Sequence, residues 1–430
     1  MDDFLRLLTL QDYNTRVVMI STGLLGLASG LVGTFLVLRK RALMSDAVSH
    51  ATLPGVALAF LWSVHAGGSG RSLPVLLGGA AFTGVLGMMA VLGIRRFTRL
   101  KDDAALGIVL SLFFGAGIAL LGIVQQVEGA ESAGLKGFIY GKTASLLFND
   151  FLLIAGLAAL ISAICGLFYK EFKLLCFDQH FAATLGWPVF LFDFALMSLI
   201  VLTTVIGLQS VGLILVVSLL IIPPAAARFW SHDLKKVLLI AGALGMVSGF
   251  VGSGLSAVFA HLPAGAVIVL SAAGLFLVSI LCGPAGGILP RVLAHRSLSR
   301  RIGEQNLLRT AWELGEGEEH RPFTLEEVLR ERSWSRRQLR GLIRQALRDG
   351  HLERLSRHRY RLTGLGEENA RRVVRNHRLW ELYLIHHAEI APSHVDRDAD
   401  QIEHVLDEEM IDQLEGLLSE EQRGTPVSPH

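Results

Sequence analysis

The chain has little charge and few cysteines. Only 18% of its 430 residues are charged and 51% are hydrophobic, whereas ordinary soluble domains carry about 25% charge. The three cysteines, Cys165, Cys176 and Cys282, lie in or beside apolar stretches without C-x-x-C spacing, which argues against a zinc finger or a disulfide framework. The net charge of +2 favours no class of partner. These absences favour a chain that lies largely in lipid over two or three soluble domains.

A nucleotide-binding loop is also missing. Gly141, Lys142 and Thr143 match the end of the pattern G-x-x-x-x-G-K-[ST], but Gly137 is one residue too close and Gly134 is too far away. Such a loop joins a strand to a helix, whereas this segment falls between two apolar runs. We therefore expect no enzymatic activity in this chain, and any ATP hydrolysis must come from a separate subunit.

Charge is distributed unevenly along the chain. Residues 1–290 contain 17 Lys and Arg and 13 Asp and Glu, whereas the last 140 residues contain 23 Arg and 25 acidic residues. The change falls in the stretch GPAGGILPRVLAHRSLSRR, where Gly and Pro end an apolar run and Arg becomes frequent. The composition therefore predicts a membrane domain over residues 1–290, followed by a charged tail.

Nine apolar runs in the membrane domain are candidate spans, because a span needs roughly 20 residues. The N-terminal stretch lacks the basic region of a cleavable signal, so we expect the first run to be retained as an anchor. The sixth and seventh runs are the least distinct, since GLQS alone divides them. The predicted spans are 17–38, 43–64, 73–94, 104–124, 148–169, 190–208, 211–229, 236–259 and 264–283.

Basic residues predict the orientation of the spans. Clusters at 39–41, 95–101, 170–173 and 228–236 follow the first, third, fifth and seventh runs, and the Arg-rich tail follows the ninth. Cytoplasmic loops carry the excess of Lys and Arg. This alternation predicts a multi-pass membrane protein with its N-terminus outside and its tail in the cytoplasm.

An acid and a histidine stand at the beginning of the second span, in the stretch RALMSDAVSHATLPGVALAFL. Asp46 and His50 are four residues apart and so share one helical face. A carboxylate and an imidazole suit divalent manganese, iron or zinc. Pro54 and Gly55 follow and can interrupt the helix, as is tolerated at transport sites. The alternative is a hydrogen bond between Asp46 and His50 within the helix, at the membrane surface.

The same stretch resembles the signature of permease subunits of the manganese, zinc and iron ABC transporters, the ABC-3 type. The resemblance continues in FKLLCFDQHFAATLGWP, in GLILVVSLLIIPPAAARFW and in LPAGAVIVLSAAGLFLVSILCGPAGGILPR, and covers about residues 15–290. It implies a dimer, formed by two identical copies or by a copy and a paralogue, in which Asp46 and His50 of each subunit line a midline metal site.

The resemblance also implies partners for the membrane domain. A separate ABC ATPase would dock on the cytoplasmic stretch after Pro223 and Pro224, where we expect Ala225, Ala226, Arg228 and Phe229 to couple ATP hydrolysis to transport. An extracytoplasmic binding protein would deliver the metal. Glu128 and Glu131 in an outer loop either attract cations or belong to an ordinary solvated loop.

The first part of the tail is basic, with 12 Arg against 5 acids between Arg321 and Arg361. Thr324 with Glu327 predicts a capping box and Ser335 a second helix start, so the segment reads as two helices and a hairpin. Opposite an apolar stripe, the second helix carries Arg336, Arg337, Arg340 and Arg344, which suits contact with nucleic-acid phosphates. The alternative is a basic helix that lies against anionic lipid or packs on the ATPase.

The second part of the tail resembles the metal-binding and dimerisation region of repressors of the diphtheria-toxin-repressor family. This resemblance implies a winged helix-turn-helix domain at 304–363 after a linker at 291–303, and a metal-binding and dimerisation domain at 364–430. The family's ligands correspond to His377, Glu381, Asp400, Glu403 and His404. One departure stands out: Asn306 and Arg309 occupy positions where acidic ligands are expected, so the site is either weakened or remodelled.

The sequence therefore predicts an all-α polytopic membrane domain followed by a mainly α cytoplasmic winged-helix and metal-binding domain. The predicted function is the permease subunit of an ATP-driven importer of divalent metal, with a fused metal-responsive regulator. Manganese or iron is favoured over zinc, because the tail resembles iron and manganese sensors. The rival is a membrane-tethered transcription regulator with little or no transport, and the Gly-, Pro- and Arg-rich junction near 284–301 suggests release of the tail by proteolysis.

Overall fold

The computed structural model of the chain describes residues 12–67, 72–126, 146–259, 262–315 and 321–387, with side chains of the last range to residue 379. The chain divides into two compact units, Met1–Arg291 and Val292–His430. The described part of the first unit is entirely helical. Its helices are α1 (Tyr13–Leu38), α2 (Leu43–His65), α3 (Leu73–Phe97), α4 (Asp102–Val124), α5 (Phe148–Leu167), α6 (Tyr169–Phe177), α7 (Gln179–Thr184), α8 (Val189–Val211), α9 (Leu213–Ala227), α10 (Leu234–Val258) and α11 (Ala264–Cys282).

Eight of these helices, within the described ranges, are long and apolar enough to cross a membrane. They correspond to eight of the nine predicted spans, which confirms a polytopic all-α membrane domain. The seventh predicted span, 211–229, is the exception. Its helix α9 has 15 residues, which extends about 22 Å, less than the roughly 30 Å of a bilayer core.

Gly212 explains where the sixth and seventh runs divide. Its φ of +87° lies in the left-handed region that other residues rarely adopt, so it separates α8 from α9. The sequence placed this division at residues 209–210, but α8 continues to Val211. The two helices pack against each other beyond the turn, because a side chain at Gly207 would meet Val216 at 2.5 Å.

Helices α1 and α10 cross at glycines. A Cβ added at Gly26 would lie 2.1 Å from the Gly245 carbonyl oxygen, and one added at Gly245 would lie 2.1 Å from the Gly26 oxygen. The contact repeats one turn away, where Gly249 faces the carbonyl oxygen of Thr22 at 2.3 Å. Small residues four apart allow this close approach in lipid, where packing replaces the hydrophobic effect between helices.

The second unit combines helices with a small sheet. Its elements, including a helix that begins just before the unit, are α12 (Ile288–Glu313), β1 (Phe323–Thr324), α13 (Leu325–Glu331), α14 (Arg336–Arg348), β2 (Leu352–Arg354), β3 (Arg359–Leu362) and α15 (Gly364–His387). The antiparallel sheet has the order β1-β3-β2, with Phe323 opposite Tyr360 and Leu352 opposite Leu362. Residues 291–303, predicted as a linker, lie within α12.

The two helices and the hairpin predicted for the basic segment are present. Thr324 and Glu327 form the predicted capping box at the start of α13, and Ser335 with Gln338 forms a second one at the start of α14. Leu339 and Ile343 of α14 are buried in a core with Val328, so the opposite face of α14 lies at the surface.

Candidate metal site

Asp46 and His50 lie on the open face of α2. Asp46 is in the first turn of the helix, where the helix dipole stabilises a negative charge. The His50 Nε2 and Asp46 Oδ1 atoms are 3.4 Å apart, with side chains 20% and 33% exposed, respectively. Leu58 and Trp62, nearer the other end of the helix, are also exposed.

The spacing of the pair disfavours the alternative of a closed intrahelical hydrogen bond. A distance of 3.4 Å exceeds the 2.7–3.2 Å that is usual for N–H···O bonds. The His50 ring packs edge-on against Phe114 of α4, with centroids 4.8 Å apart. Its Nδ1 is buried without a hydrogen bond. The carboxylate and the imidazole are therefore held close together but not tied to each other.

Pro54 removes one backbone hydrogen bond from α2. It lies inside α2 and has no N–H, so the His50 carbonyl oxygen lacks its usual donor four residues later. The neighbouring Ser49 and Thr52 side chains are buried, and they donate to the Ser45 and Ser49 carbonyl oxygens at 2.7 and 2.6 Å. The partly exposed polar side chains at this position of α2 are therefore the Asp46 carboxylate and the His50 imidazole.

Gly55 fixes α2 against α3. A Cβ at Gly55 would lie 2.0 Å from the Gly79 carbonyl oxygen and 2.1 Å from Thr83 Oγ1. The sequence singled out Gly55 as a residue that interrupts the helix, but α2 continues through it to His65. Its role in the structure is a close helix crossing one turn after His50.

A buried ion pair fixes the beginning of α2. Lys40 has a φ of +57°, and the turn it makes places Arg39 and Arg41 on the same carboxylate of α8. Arg41 Nη1 donates to both oxygens of Asp193, at 2.9 and 3.2 Å, and Arg39 donates to one of them. Burial lowers the pKa of Arg41, and the Asp193 carboxylate opposes that shift. Sequence reasoning missed this cluster, because Asp193 is 152 residues away from Arg41.

The segment predicted to couple to an ATPase follows α9. Arg228 is exposed, Ala225 and Phe229 are half-buried, and Ala226 is buried. The Phe229 carbonyl oxygen accepts a hydrogen bond from the Ala285 N–H at 2.9 Å. Arg228 and Phe229 border a groove of about 610 Å³ that Phe177 and His232 also line. Of the four predicted residues, Arg228 offers the most surface to a partner.

Helices α6 and α7 present a second exposed surface. Their sequence contributed to the family resemblance, but no function was predicted for this surface. Asp178 caps α7 by accepting the Phe181 N–H at 2.8 Å. Three large apolar side chains around this cap, Phe177, Phe181 and Leu185, are more than half exposed. Phe172 anchors α6 in the core.

Burial raises the pKa of Cys176, also on α6, to about 12, so its thiol stays protonated near neutral pH.

In the tail, the basic face of α14 is solvent-exposed along its whole length. The arginines on this face are all exposed. Among the described residues, the one ion pair they make with an acid is between Arg336 and Glu326, at 3.7 Å. The exposed set is Arg336, Arg337, Arg340, Arg344 and Arg348. The face therefore presents a surface of like charge suited to phosphate groups.

The predicted tail ligands are described only in part. His377 is buried on α15, and its Nδ1 lies 3.0 Å from Arg309 Nη1. Glu381 lies on the same helix, one turn later. Asp400, Glu403 and His404 are outside the described residues. Within the described part of the chain, no three His, Cys, Asp or Glu side chains come close enough together to hold a metal ion. A guanidinium next to His377 does not fit a metal site there.

Two protein-family models match separate parts of the chain. The model of the ABC 3 transport family matches residues 11–283, and that of the iron dependent repressor, metal binding and dimerisation domain, matches residues 363–426. The first match covers more than half of the chain and contains α1–α11 with the Asp46–His50 pair. The chain therefore belongs to the ABC 3 transport family, whose members are permease subunits and not enzymes.

Individual relatives agree with this assignment. The chain is 39% identical over 391 residues to the manganese transport system membrane protein MntC of Bacillus subtilis, covering 91% of this chain and 88% of that protein. It is 44% identical over 288 residues to the zinc transport system membrane protein TroC of Treponema pallidum, covering 67% and 95%. The solved structure of PsaBC from Streptococcus pneumoniae in complex with Fab matches with a TM-score of 0.57 and 31% identity, over 69% of this chain and 99% of that one.

Proposed function

We propose that the chain is the permease subunit of an ATP-driven manganese importer. The observation that carries the proposal is the Asp46–His50 pair on the open face of α2, 3.4 Å apart and without a closed hydrogen bond. An ionisable pair inside a membrane helix is costly, and such groups serve transport pathways. Here the cargo ion would exchange water for the Asp46 carboxylate and the His50 imidazole.

A second permease copy completes the site in this proposal. One chain offers a carboxylate and an imidazole, whereas a divalent ion needs four to six ligands. A two-fold axis beside α2 would bring a second Asp46 and His50 to the same ion.

The choice of metal rests on the ligands and the relatives. Carboxylate and imidazole ligands without a thiolate suit manganese or iron as well as zinc. The Bacillus subtilis and Treponema pallidum relatives are named for manganese and for zinc, respectively. The MntC match extends over 91% of the chain, so it reaches into the tail. We favour manganese for that reason and rank iron second.

Two partners follow from this function. The ATPase would bind the exposed apolar surface of α6 and α7, formed by Phe177, Phe181 and Leu185, together with the exposed Arg228 after α9. An extracytoplasmic binding protein would deliver the ion. Both surfaces would lie in the cytoplasm of a bacterial cell, because each adjoins a cluster of Lys and Arg, at 170–173 and at 228–236. This position of Arg228 requires the 15-residue helix α9 to connect the two sides of the membrane within the bundle.

For the tail we propose contact with nucleic acid through the basic face of α14. Two capped helices followed by the β2–β3 hairpin form a winged helix-turn-helix arrangement, which commonly places its second helix in a DNA groove. The five exposed arginines of this face are the supporting observation. The full-length protein in nanodiscs should bind double-stranded DNA with an affinity that falls steeply with salt. The variant with Arg337, Arg340 and Arg344 changed to Gln should not bind, and equal binding by this variant would remove the proposal.

Transport is tested by uptake of labelled manganese into proteoliposomes that contain the permease, its ATPase and the binding protein. Uptake should require ATP, and unlabelled manganese should compete more strongly than zinc or iron. Asp46→Ala combined with His50→Ala should abolish uptake, whereas Gly78→Ala, where the added Cβ meets nothing within 4 Å, should not. A folded complex that hydrolyses ATP but transports no metal would favour the rival function of a membrane-tethered regulator.

A further inference from the structure

Arg309 of α12 and His377 of α15 form a buried pair in the tail. Their side chains belong to residues that are only 6% and 2% exposed. The Arg309 Nη1 atom lies 3.0 Å from His377 Nδ1, and Arg309 Nε donates to Glu313 Oε1 at 2.6 Å. The guanidinium therefore joins a histidine of one helix to a carboxylate one turn further along its own helix.

The pairing fixes the role of the His377 ring. Arg remains protonated in proteins and offers donors only, so the Nδ1 atom of His377 must accept the hydrogen bond with its lone pair. A metal ion would need the same lone pair, because neutral imidazole binds metals through an unprotonated nitrogen. The His377 Nδ1 atom cannot serve the guanidinium and a metal ion at the same time.

The surroundings disfavour a divalent cation for two more reasons. A fixed positive charge at hydrogen-bond distance from His377 repels a second cation, and a buried site screens that repulsion weakly. Of the side-chain oxygens that α12 carries within about one turn of Arg309, Glu313 Oε1 already accepts from the guanidinium, and Asn306 Oδ1 is buried without a hydrogen bond. A neutral amide oxygen is a weaker ligand for such ions than the acid expected there.

We infer that Arg309 is a tethered cation that replaces a metal ion between α12 and α15, so these two helices are joined without metal. The site that the repressor resemblance predicts is therefore closed on its His377 side. The tail does not sense metal through the contact between α12 and α15. This inference concerns the described residues of the tail and does not depend on transport or on nucleic-acid binding.

Hydrogen exchange of the full-length protein in nanodiscs tests the inference, with segments 305–313 and 371–379 followed by mass spectrometry. In the wild type, exchange in both segments should be the same with EDTA and with manganese. Arg309→Ala should exchange at least about tenfold faster in both segments, since a buried charge-assisted hydrogen bond is lost. Arg309→Lys keeps the positive charge and should recover part of the protection.

Arg309→Glu provides the converse result. The new carboxylate, the free Asn306 oxygen and the released His377 ring form a ligand set on two helices, so manganese should now slow exchange in both segments. Adding His377→Gln should remove that manganese effect. Manganese-dependent protection of both segments in the wild type, lost in His377→Gln, would overturn the inference.

Discussion

Replacement of Gly55 by Ala tests whether the position of α2 sets the metal site. The added Cβ would lie 2.0 Å from the Gly79 carbonyl oxygen, whereas ordinary contact begins at 3.4 Å. Because the atom it meets is backbone, α2 and α3 must separate by more than 1 Å. Such overpacking costs about 1–3 kcal/mol.

The displacement should impair transport more than it impairs folding. Gly55 lies one turn from His50, so the shift moves the imidazole relative to its counterpart in the second permease copy. Misplacement of about 1 Å at a functional site can cost on the order of 100-fold. We therefore expect manganese uptake by Gly55→Ala to fall at least about tenfold, while the complex remains assembled and soluble in detergent.

Gly78→Ala is the matched control. Gly78 precedes Gly79 on α3, and a Cβ added there meets nothing within 4 Å. Uptake by this variant should equal that of the wild type. Equal uptake by Gly55→Ala and Gly78→Ala would refute the argument that the crossing of α2 and α3 positions His50.

Three further changes test other parts of the account. Asp193→Asn removes the negative charge that the buried Arg41 side chain faces. The change should lower the free energy of unfolding by about 3–5 kcal/mol and the thermal midpoint of the detergent-solubilised protein by several degrees. An unchanged midpoint would show that the ion pair is solvated. Phe181→Asp should reduce metal-stimulated ATP hydrolysis by the complex and leave the midpoint unchanged, and full hydrolysis would exclude α7 from the ATPase contact. Thr324→Ala removes a cap worth about 1 kcal/mol and a hydrogen bond that holds the pKa of Glu327 below its ordinary value of 4.5. A carboxyl whose pKa is lowered in the folded state stabilises the fold above pH 4.5, and this stabilisation is lost as the pH falls through the folded-state pKa. Hydrogen exchange in residues 323–331 should therefore be faster in Thr324→Ala than in the wild type at pH 7, and the difference between the two proteins should be smaller near pH 3. An equal difference at both pH values would contradict this prediction.

Local patterns predicted much of the membrane domain. Apolar runs of about 20 residues are sufficient to identify spans, because lipid requires every backbone group to be paired within the helix. The division at Gly212 was misplaced by a few residues, since the run of apolar residues continues through the turn and only the backbone φ shows the break. Asp46 and His50 were predicted to share a face because they are four residues apart.

Contacts between distant residues could not be predicted in the same way. Asp193 meets Arg39 and Arg41 across about 150 residues of sequence, and nothing local to Asp193 indicates its partner. Arg309 was recognised as a departure from a ligand position. Its bond to His377, 68 residues away, depends on how α12 and α15 pack. Such pairs follow from tertiary packing, which a single sequence does not determine.

Pulsed electron paramagnetic resonance of manganese bound to the assembled permease tests the central claim most directly. The spectrum should show coupling of the manganese electron spin to histidine nitrogen, and His50→Gln should remove that coupling and weaken binding. Because the His377 Nδ1 atom accepts from Arg309, His377→Gln should leave the spectrum unchanged. Nitrogen coupling that persists in His50→Gln, with uptake unaffected, would contradict the assignment of Asp46 and His50 as the residues that carry the ion.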